Sequence, residues 1–125
     1  MLKPNPVAEK PLHWVASSKR DLLSFDEQVI DDIGYALGVV QLGGMPGAAK
    51  PWKGEGAGVF EIVEDHRGDT YRAVYAVRFA RAVYVLHCFQ KKSPTGIKTA
   101  KTDIDLIHAR LKLAQADYEA HYEKN

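Results

Sequence analysis

The stretch TYRAVYAVRFARAVYVLHCFQKK, residues 70–92, decides the fold, because it holds two strand-like apolar runs joined by a very short link. Alternation along the first run places Tyr71 and Tyr75 on one face and Arg72 and Arg78 on the other. The run GVFEIVED comes just before this stretch and is separated from it by HRGD. Strands with such short links favour antiparallel pairing, so the pattern predicts a three-stranded meander.

Helical patterns flank this meander, and a short strand opens the chain. Apolar residues recur at three- and four-residue steps after Asp26, an N-cap candidate, and again from about Thr102 to Tyr122. PLHWVAS predicts a first strand, Ser18 to Leu23 a short helix, and the glycine-rich residues 43–58 a loop. The predicted order β-α-α-β-β-β-α gives an α+β fold, a small mainly antiparallel sheet with two N-terminal helices and a C-terminal helix.

Length and composition limit the class of protein. A chain of 125 residues, 46% hydrophobic and 26% charged, predicts one globular domain spanning residues 1–125. No apolar run is long enough to cross a membrane, and the first residues lack the pattern of a signal peptide, so we expect a cytoplasmic protein. Cys88 is the one cysteine, and its apolar strand predicts a core residue rather than a nucleophile.

The near-neutral net charge of +1 averages two opposite regions. Residues 66–102 hold eight basic residues and one acidic residue, a net charge of +7, whereas the remainder holds nine basic and fifteen acidic residues, a net charge of −6. A concentrated positive region attracts polyanions even on a nearly neutral protein. The alternative is a solvated sheet edge whose lysines discourage aggregation.

Catalytic motifs with fixed spacing are absent from the sequence, which contains no Walker loop, HExxH or CxxC. No two histidines share a metal-ligand spacing, and we expect neither metal nor other cofactor. The strands instead collect cations and aromatic rings, a combination that suits single-stranded RNA because cations bind phosphate and rings stack on bases. The candidates are Lys53, Arg72, Arg78, Lys91 and Lys92, with His87, Tyr75 and Phe89 beside them.

The string TYRAVYAVRFARAVYVLHCFQKKSPTGIKTAKTDIDLIHARLK resembles the HigB-like branch of the RelE/ParE toxin superfamily, the toxins of bacterial type II toxin–antitoxin modules. The resemblance extends back through AKPWKGEGAGVFEI to LLSFDEQVIDDIGYALGVVQLGG and is most specific in YRAVY and VLHCFQKK. It implies a RelE-like fold and an endoribonuclease that cuts messenger RNA on the ribosome without metal. It also implies a partner antitoxin, a helix-turn-helix protein, that silences the toxin, and a prophage origin.

The resemblance also implies roles for individual residues. A ribose 2′-OH would attack the adjacent phosphate, and Arg72 and Lys92 match positions that stabilise the resulting transition state. His87 and Lys91 are then candidates for proton transfer or substrate orientation. Lys53 would grip the RNA backbone, and Arg78, Tyr75 and Phe89 would contribute further RNA contacts.

Two departures from RelE leave the mechanism open. Glu61 and Val63 stand on the strand where RelE carries lysines, and no tyrosine follows QKKSP at a position like the C-terminal one of RelE. Glu61 is therefore either a general base or the partner of Arg72 in a structural salt bridge. Two other functions also remain open, a non-enzymatic ParE-like poison of DNA gyrase and an inactive prophage remnant that still binds an antitoxin.

Overall fold

The computed structural model of the protein describes residues 8–91 and 99–123, which form a five-stranded sheet and three helices. None of the helices in these two ranges is both long enough and apolar enough to cross a membrane. The elements follow one another as β1 (Leu12–Trp14), α1 (Ser18–Leu23), α2 (Glu27–Gln41), β2 (Ala49–Pro51), β3 (Val59–His66), β4 (Asp69–Ala76), β5 (Val83–Lys91) and α3 (Lys101–Tyr122).

The strands lie in the order β1-β5-β4-β3-β2, with β1 parallel to β5 and every other pair antiparallel. This arrangement confirms the α+β class, the antiparallel meander and the positions of the three helices. The interpretation of residues 43–58 as a plain loop is wrong, because Ala49–Pro51 pairs with β3 as an additional edge strand. A three-residue strand that ends at Pro51 carries too little periodicity to be recognised from sequence.

The sheet separates two apolar cores. Helices α1 and α2 cover one face, where Ile33 and Leu37 pack against Ile62 and Tyr75. Helix α3 covers the other face, where Ile107, Leu111 and Tyr118 pack on Val74, Tyr84 and Leu86. Cys88 is buried in the first of these cores, as predicted, and burial raises its pKa to about 12, so it is a core residue.

Alternation along β4 is confirmed only as far as the strand extends. Tyr71 and Tyr75 face α2, whereas Val74 faces α3 and Arg72 shares the side of Val74. The prediction that Arg78 lies on this strand is wrong, because β4 ends at Ala76.

A β-bulge in β5 sets the direction of the side chains at its C-terminal end. His87 lies opposite Val74 and Val85 lies opposite Tyr75, so Leu86 has no partner on β4. The extra residue shifts the alternation, and the side chain of His87 consequently faces α3 together with those of Phe89 and Lys91. Their shared side was predicted, but the bulge was not.

Candidate nucleic-acid-binding cleft

A cleft of about 670 Å³ opens on the α3 side of the sheet, between β2 and the start of α3. Strands β3 and β4 contribute Glu61 and Arg72 to its floor. We call it the basic cleft, because it contains three cationic side chains and one carboxylate. It is lined by Lys50, Pro51, Trp52, Lys53, Glu61, Arg72, Thr99 and Ile104.

Glu61 and Arg72 form an ion pair in the floor of the basic cleft. Both side chains are largely buried, with 8% of Glu61 and 15% of Arg72 exposed. The Nε atom of Arg72 is also buried but has no hydrogen-bond partner among the described residues. Glu61 therefore fixes the guanidinium through one nitrogen and leaves another donor unsatisfied, an arrangement that is costly unless an acceptor binds there.

Lys91 supplies a second unsatisfied cation on the same side of the sheet. It lies opposite Thr70, which is two residues from Arg72 along β4. Its Nζ atom is buried without a partner in the part of the chain that the structure describes. Burial lowers the pKa of Lys91, and the charge of Arg72 lowers it further. Glu61 raises this pKa and Lys50 lowers it, so the amine lies within the field of the charges that line the cleft.

His87 does not face the basic cleft as a free imidazole. Its Nε2 atom lies 2.7 Å from Oδ1 of Asp103, and its Nδ1 atom accepts a hydrogen bond from Nη1 of Arg110 at 3.1 Å. The ring is buried and stacks on Phe89 with 4.9 Å between the ring centroids. Both nitrogens thus bind side chains of α3, so His87 anchors this helix, and its role in proton transfer or substrate orientation stays a prediction.

The aromatic residues proposed to contact RNA are buried. Tyr75 is 1% exposed and lies on the α2 face, where burial raises its pKa to about 12. Phe89 lies on the cleft side but is buried beneath α3. Neither ring is available to stack on a base, so both assignments are wrong.

The predicted cations divide into two groups. Arg72 and Lys53 line the basic cleft, and Lys91 lies beside it. Arg78 is separated from them, because it lies beyond the end of β4 and donates to the carbonyl of Glu55. Its predicted place beside Arg72 is therefore wrong, and Lys92 falls outside the described residues.

Sequence reasoning missed two contributions to this region. Lys50 lies directly opposite Glu61 in the ladder between β2 and β3, and it was missed because β2 itself was missed. Arg110 is buried on the side of α3 that faces the sheet. It donates hydrogen bonds to the carbonyl of Leu86 at the bulge and to the hydroxyl of Ser17. Its position among the core residues of α3, three after Ile107 and four before Ala114, was the available signal.

No group of three or more histidine, cysteine, aspartate or glutamate side chains within residues 8–91 and 99–123 is arranged to hold a metal ion. The donors around the basic cleft are predominantly cationic nitrogens. Such groups attract anions, and phosphate oxygens are the natural acceptors for a guanidinium and an ammonium in one pocket.

Comparison with protein families matches residues 20–112 to the model of the phage-derived protein Gp49-like family, also designated DUF891. No curated protein matches the chain. Among solved structures, the chain is similar to one from the RelBE2 toxin–antitoxin complex of Mycobacterium tuberculosis. The two share 20% identity with a TM-score of 0.48, and the match covers 72% of this chain and 100% of that chain.

Proposed function

The chain belongs to the Gp49-like family of phage-derived proteins, and from the charges of its basic cleft we propose that it is a type II toxin that cleaves messenger RNA on the ribosome. The observation that carries this proposal is the pair of buried, unsatisfied donors, Nε of Arg72 and Nζ of Lys91. A phosphodiester of RNA would supply the acceptors that both donors lack. The segments YRAVY and VLHCFQKK resemble those of RelE-like toxins, and this resemblance gives the reaction class.

Arg72 is the residue that we assign to the scissile phosphate. In an attack by the ribose 2′-OH, negative charge grows on the phosphorane oxygens, and a guanidinium held rigid by Glu61 stabilises that charge without reorganising. Glu61 forms the salt bridge with Arg72 that is one of its two predicted roles, and its role as a general base stays a prediction. Lys50 and Lys53 lie on the rim, where they can bind the backbone phosphates on either side.

Lys91 is the residue that we assign to proton transfer. A lysine of ordinary pKa holds its proton too tightly to exchange it near neutral pH, but burial and Arg72 lower the pKa of Lys91. The amine would protonate the departing 5′ oxygen or accept the proton of the 2′-OH. Lys92 stays a prediction for the second stabilising cation, as does membership of the HigB-like branch.

Induced expression in a bacterial host tests this function. We expect growth to stop, translation to fall, and messages to be cut within translated codons. Arg72→Ala should restore growth while the purified variant keeps its circular dichroism spectrum. Arg78→Ala is the matched control, because it removes an arginine that lies just beyond the end of β4 and outside the basic cleft.

Other outcomes would favour the remaining alternatives. Intact messages accompanied by DNA breaks would replace the nuclease with a gyrase poison. Normal growth with the wild-type chain, despite accumulation of folded protein, would identify an inactive remnant. A neighbouring reading frame for a small helix-turn-helix protein would support an antitoxin partner, and co-expression of its product should then restore growth.

A further inference from the structure

The outer side of α2, turned away from the sheet, carries two glycines and exposed apolar residues next to its polar side chains Glu27, Gln28 and Asp31. Tyr35 is 78% exposed and Leu42, at the end of the helix, is 54% exposed. Gly34 and Gly38 lie beside them at a spacing of one turn. We call these four residues the α2 outer face.

The two glycines have no role inside the described structure. A methyl group added at Gly34 or Gly38 would meet no atom within 4 Å, so no neighbouring contact requires their small size. Glycine within a helix lowers its stability relative to alanine. It also removes side-chain bulk and lets another backbone approach closely, so a partner that packs on α2 would account for both residues.

A groove continues the α2 outer face toward β3. It has a volume of about 580 Å³ and runs between α2 and the segment that leads into β2, where Met45 is 58% exposed. Its walls are mainly apolar, with carboxylates near one end. The residues that line it are Asp32, Tyr35, Ala36, Val39, Met45, Pro46, Gly47, Ala48 and Glu64.

The carboxylates of this region lack countercharges. Helix α2 contains three acidic residues and no basic one, and Glu64 faces it from β3. Within the described ranges, no lysine or arginine forms a salt bridge with Asp31, Asp32 or Glu64. Burial raises the pKa of Glu64, and the charges of Asp32 and Asp65 raise it further. A cation placed here would relieve that repulsion.

We propose that the α2 outer face and its groove dock a short amphipathic helix of a partner protein, with apolar residues on one side and lysine or arginine beside Asp32 and Glu64. The groove follows α2 from Asp32 to Val39, which at 1.5 Å per residue is about 10 Å, or about two turns of the incoming helix. Its acidic end would repel nucleic acid, so the observations favour a protein partner.

This docking surface is independent of the proposed nuclease. Helix α2 lies on one face of the sheet and the basic cleft on the other, so a helix bound to α2 leaves Arg72 and Lys91 open. Loss of docking would therefore leave messenger RNA cleavage unchanged. Conversely, an inactive cleft would leave docking unchanged.

The test uses the full chain, labelled with ¹⁵N, and a synthetic amphipathic helix of leucine and lysine as the probe. We expect the amide signals of Tyr35, Gly38 and Met45 to shift on titration. A peptide of the same composition in scrambled order is the control for non-specific charge attraction. The double variant Asp32→Asn/Glu64→Gln should weaken the binding of the ordered peptide by about tenfold or more, because two charge pairs are lost.

Gly38→Leu separates docking from simple charge attraction. The variant should stay folded, because leucine favours a helix more than glycine does. Its larger side chain should block the α2 outer face, so the variant should bind the ordered peptide poorly. Equal binding of the scrambled peptide, or shifts confined to the basic cleft, would overturn the proposal. So would a wild-type dimer that Gly38→Leu converts to a monomer in sedimentation without peptide, because the occupant would then be a second copy of the chain.

Discussion

Glu61 and Arg72 lie on adjacent strands one diagonal step apart, Glu61 opposite Val74 and Arg72 opposite Val63, and their side chains form an ion pair in the floor of the basic cleft. Diagonal neighbours on a sheet are far enough apart to require long side chains, which glutamate and arginine provide. The pair holds the guanidinium in place while its Nε atom stays unsatisfied. Its geometry gives the first prediction.

Glu61→Gln should lower the free energy of unfolding by about 1–3 kcal/mol, because a largely buried guanidinium loses its counterion. Urea denaturation at neutral pH measures this change. Glu64→Gln is the matched control, since Glu64 is on the same strand but forms no salt bridge within the described ranges. Its pKa is raised in the folded protein, so its neutralisation should leave stability unchanged or slightly higher. Equal losses in the two variants would contradict the buried pair.

Lys91 should make the stability of the protein depend on alkaline pH. Its pKa is lowered from 10.5 in the folded state, so between the lowered value and 10.5 the unfolded chain binds more protons than the folded one. Stability attributable to Lys91 should therefore rise with pH across that window. The difference in urea midpoint between wild type and Lys91→Met, measured at several pH values, should shrink or reverse as pH increases. If the difference in urea midpoint stayed constant with pH, the pKa of Lys91 would not be lowered in the folded protein.

Gly34→Ala and Gly38→Ala should each stabilise the protein by about 0.5–1 kcal/mol, because the added methyl group meets no atom within 4 Å and the helix gains propensity. Thermal unfolding monitored by circular dichroism measures the gain. The contrasting variant is Gly58→Ala, where φ is +83° and a Cβ would lie 2.8 Å from the Cβ of Arg78. Gly58→Ala should destabilise, and a loss of similar size at Gly34 would show that α2 needs that glycine internally.

His87→Phe should destabilise the protein by about 1–3 kcal/mol, because the buried guanidinium of Arg110 loses an acceptor and Asp103 loses its partner. Phenylalanine keeps the stack on Phe89, so the change isolates the polar contacts. His121→Phe is the control on α3, because its ring contacts only the partly exposed Asp117 within the described ranges, and the free energy of unfolding should change by at most about 0.5 kcal/mol. An unchanged free energy of unfolding in His87→Phe would contradict the role of His87 as an anchor of α3.

Apolar periodicity predicted most of the fold. The alternation of Tyr71, Ala73 and Tyr75, and the three- and four-residue steps of α2 and α3, each involve enough residues to identify a buried face. The short strand β2 and the bulge at Leu86 involve too few residues to be identified from such a pattern. The end of β4 was overestimated because the apolar residues Val77 and Phe79 continue the alternation after the ladder has stopped.

The candidate site was predicted less well, because a residue type does not reveal its partners. Arg72 and Lys91 lie on neighbouring strands, and alternation was enough to place them together. The contacts of His87 were not predicted, since nothing in β5 indicates that Asp103 and Arg110, on a helix sixteen or more residues away, bind both nitrogens of its ring. Tyr75 was misassigned because alternation separates two faces but does not show that helices cover both, with α1 and α2 on the face of Tyr75.

Cleavage of a defined message on purified ribosomes tests the central claim most directly. We expect the wild-type chain to cut the message and leave a 2′,3′-cyclic phosphate, with no cut where the nucleotide 5′ to the scissile bond carries 2′-deoxyribose. Arg72→Ala should slow single-turnover cleavage by at least about a hundredfold, as loss of an anion-stabilising group does, while Arg78→Ala cleaves at the wild-type rate. Cleavage of the 2′-deoxy message, or equal rates for Arg72→Ala and Arg78→Ala, would contradict the account.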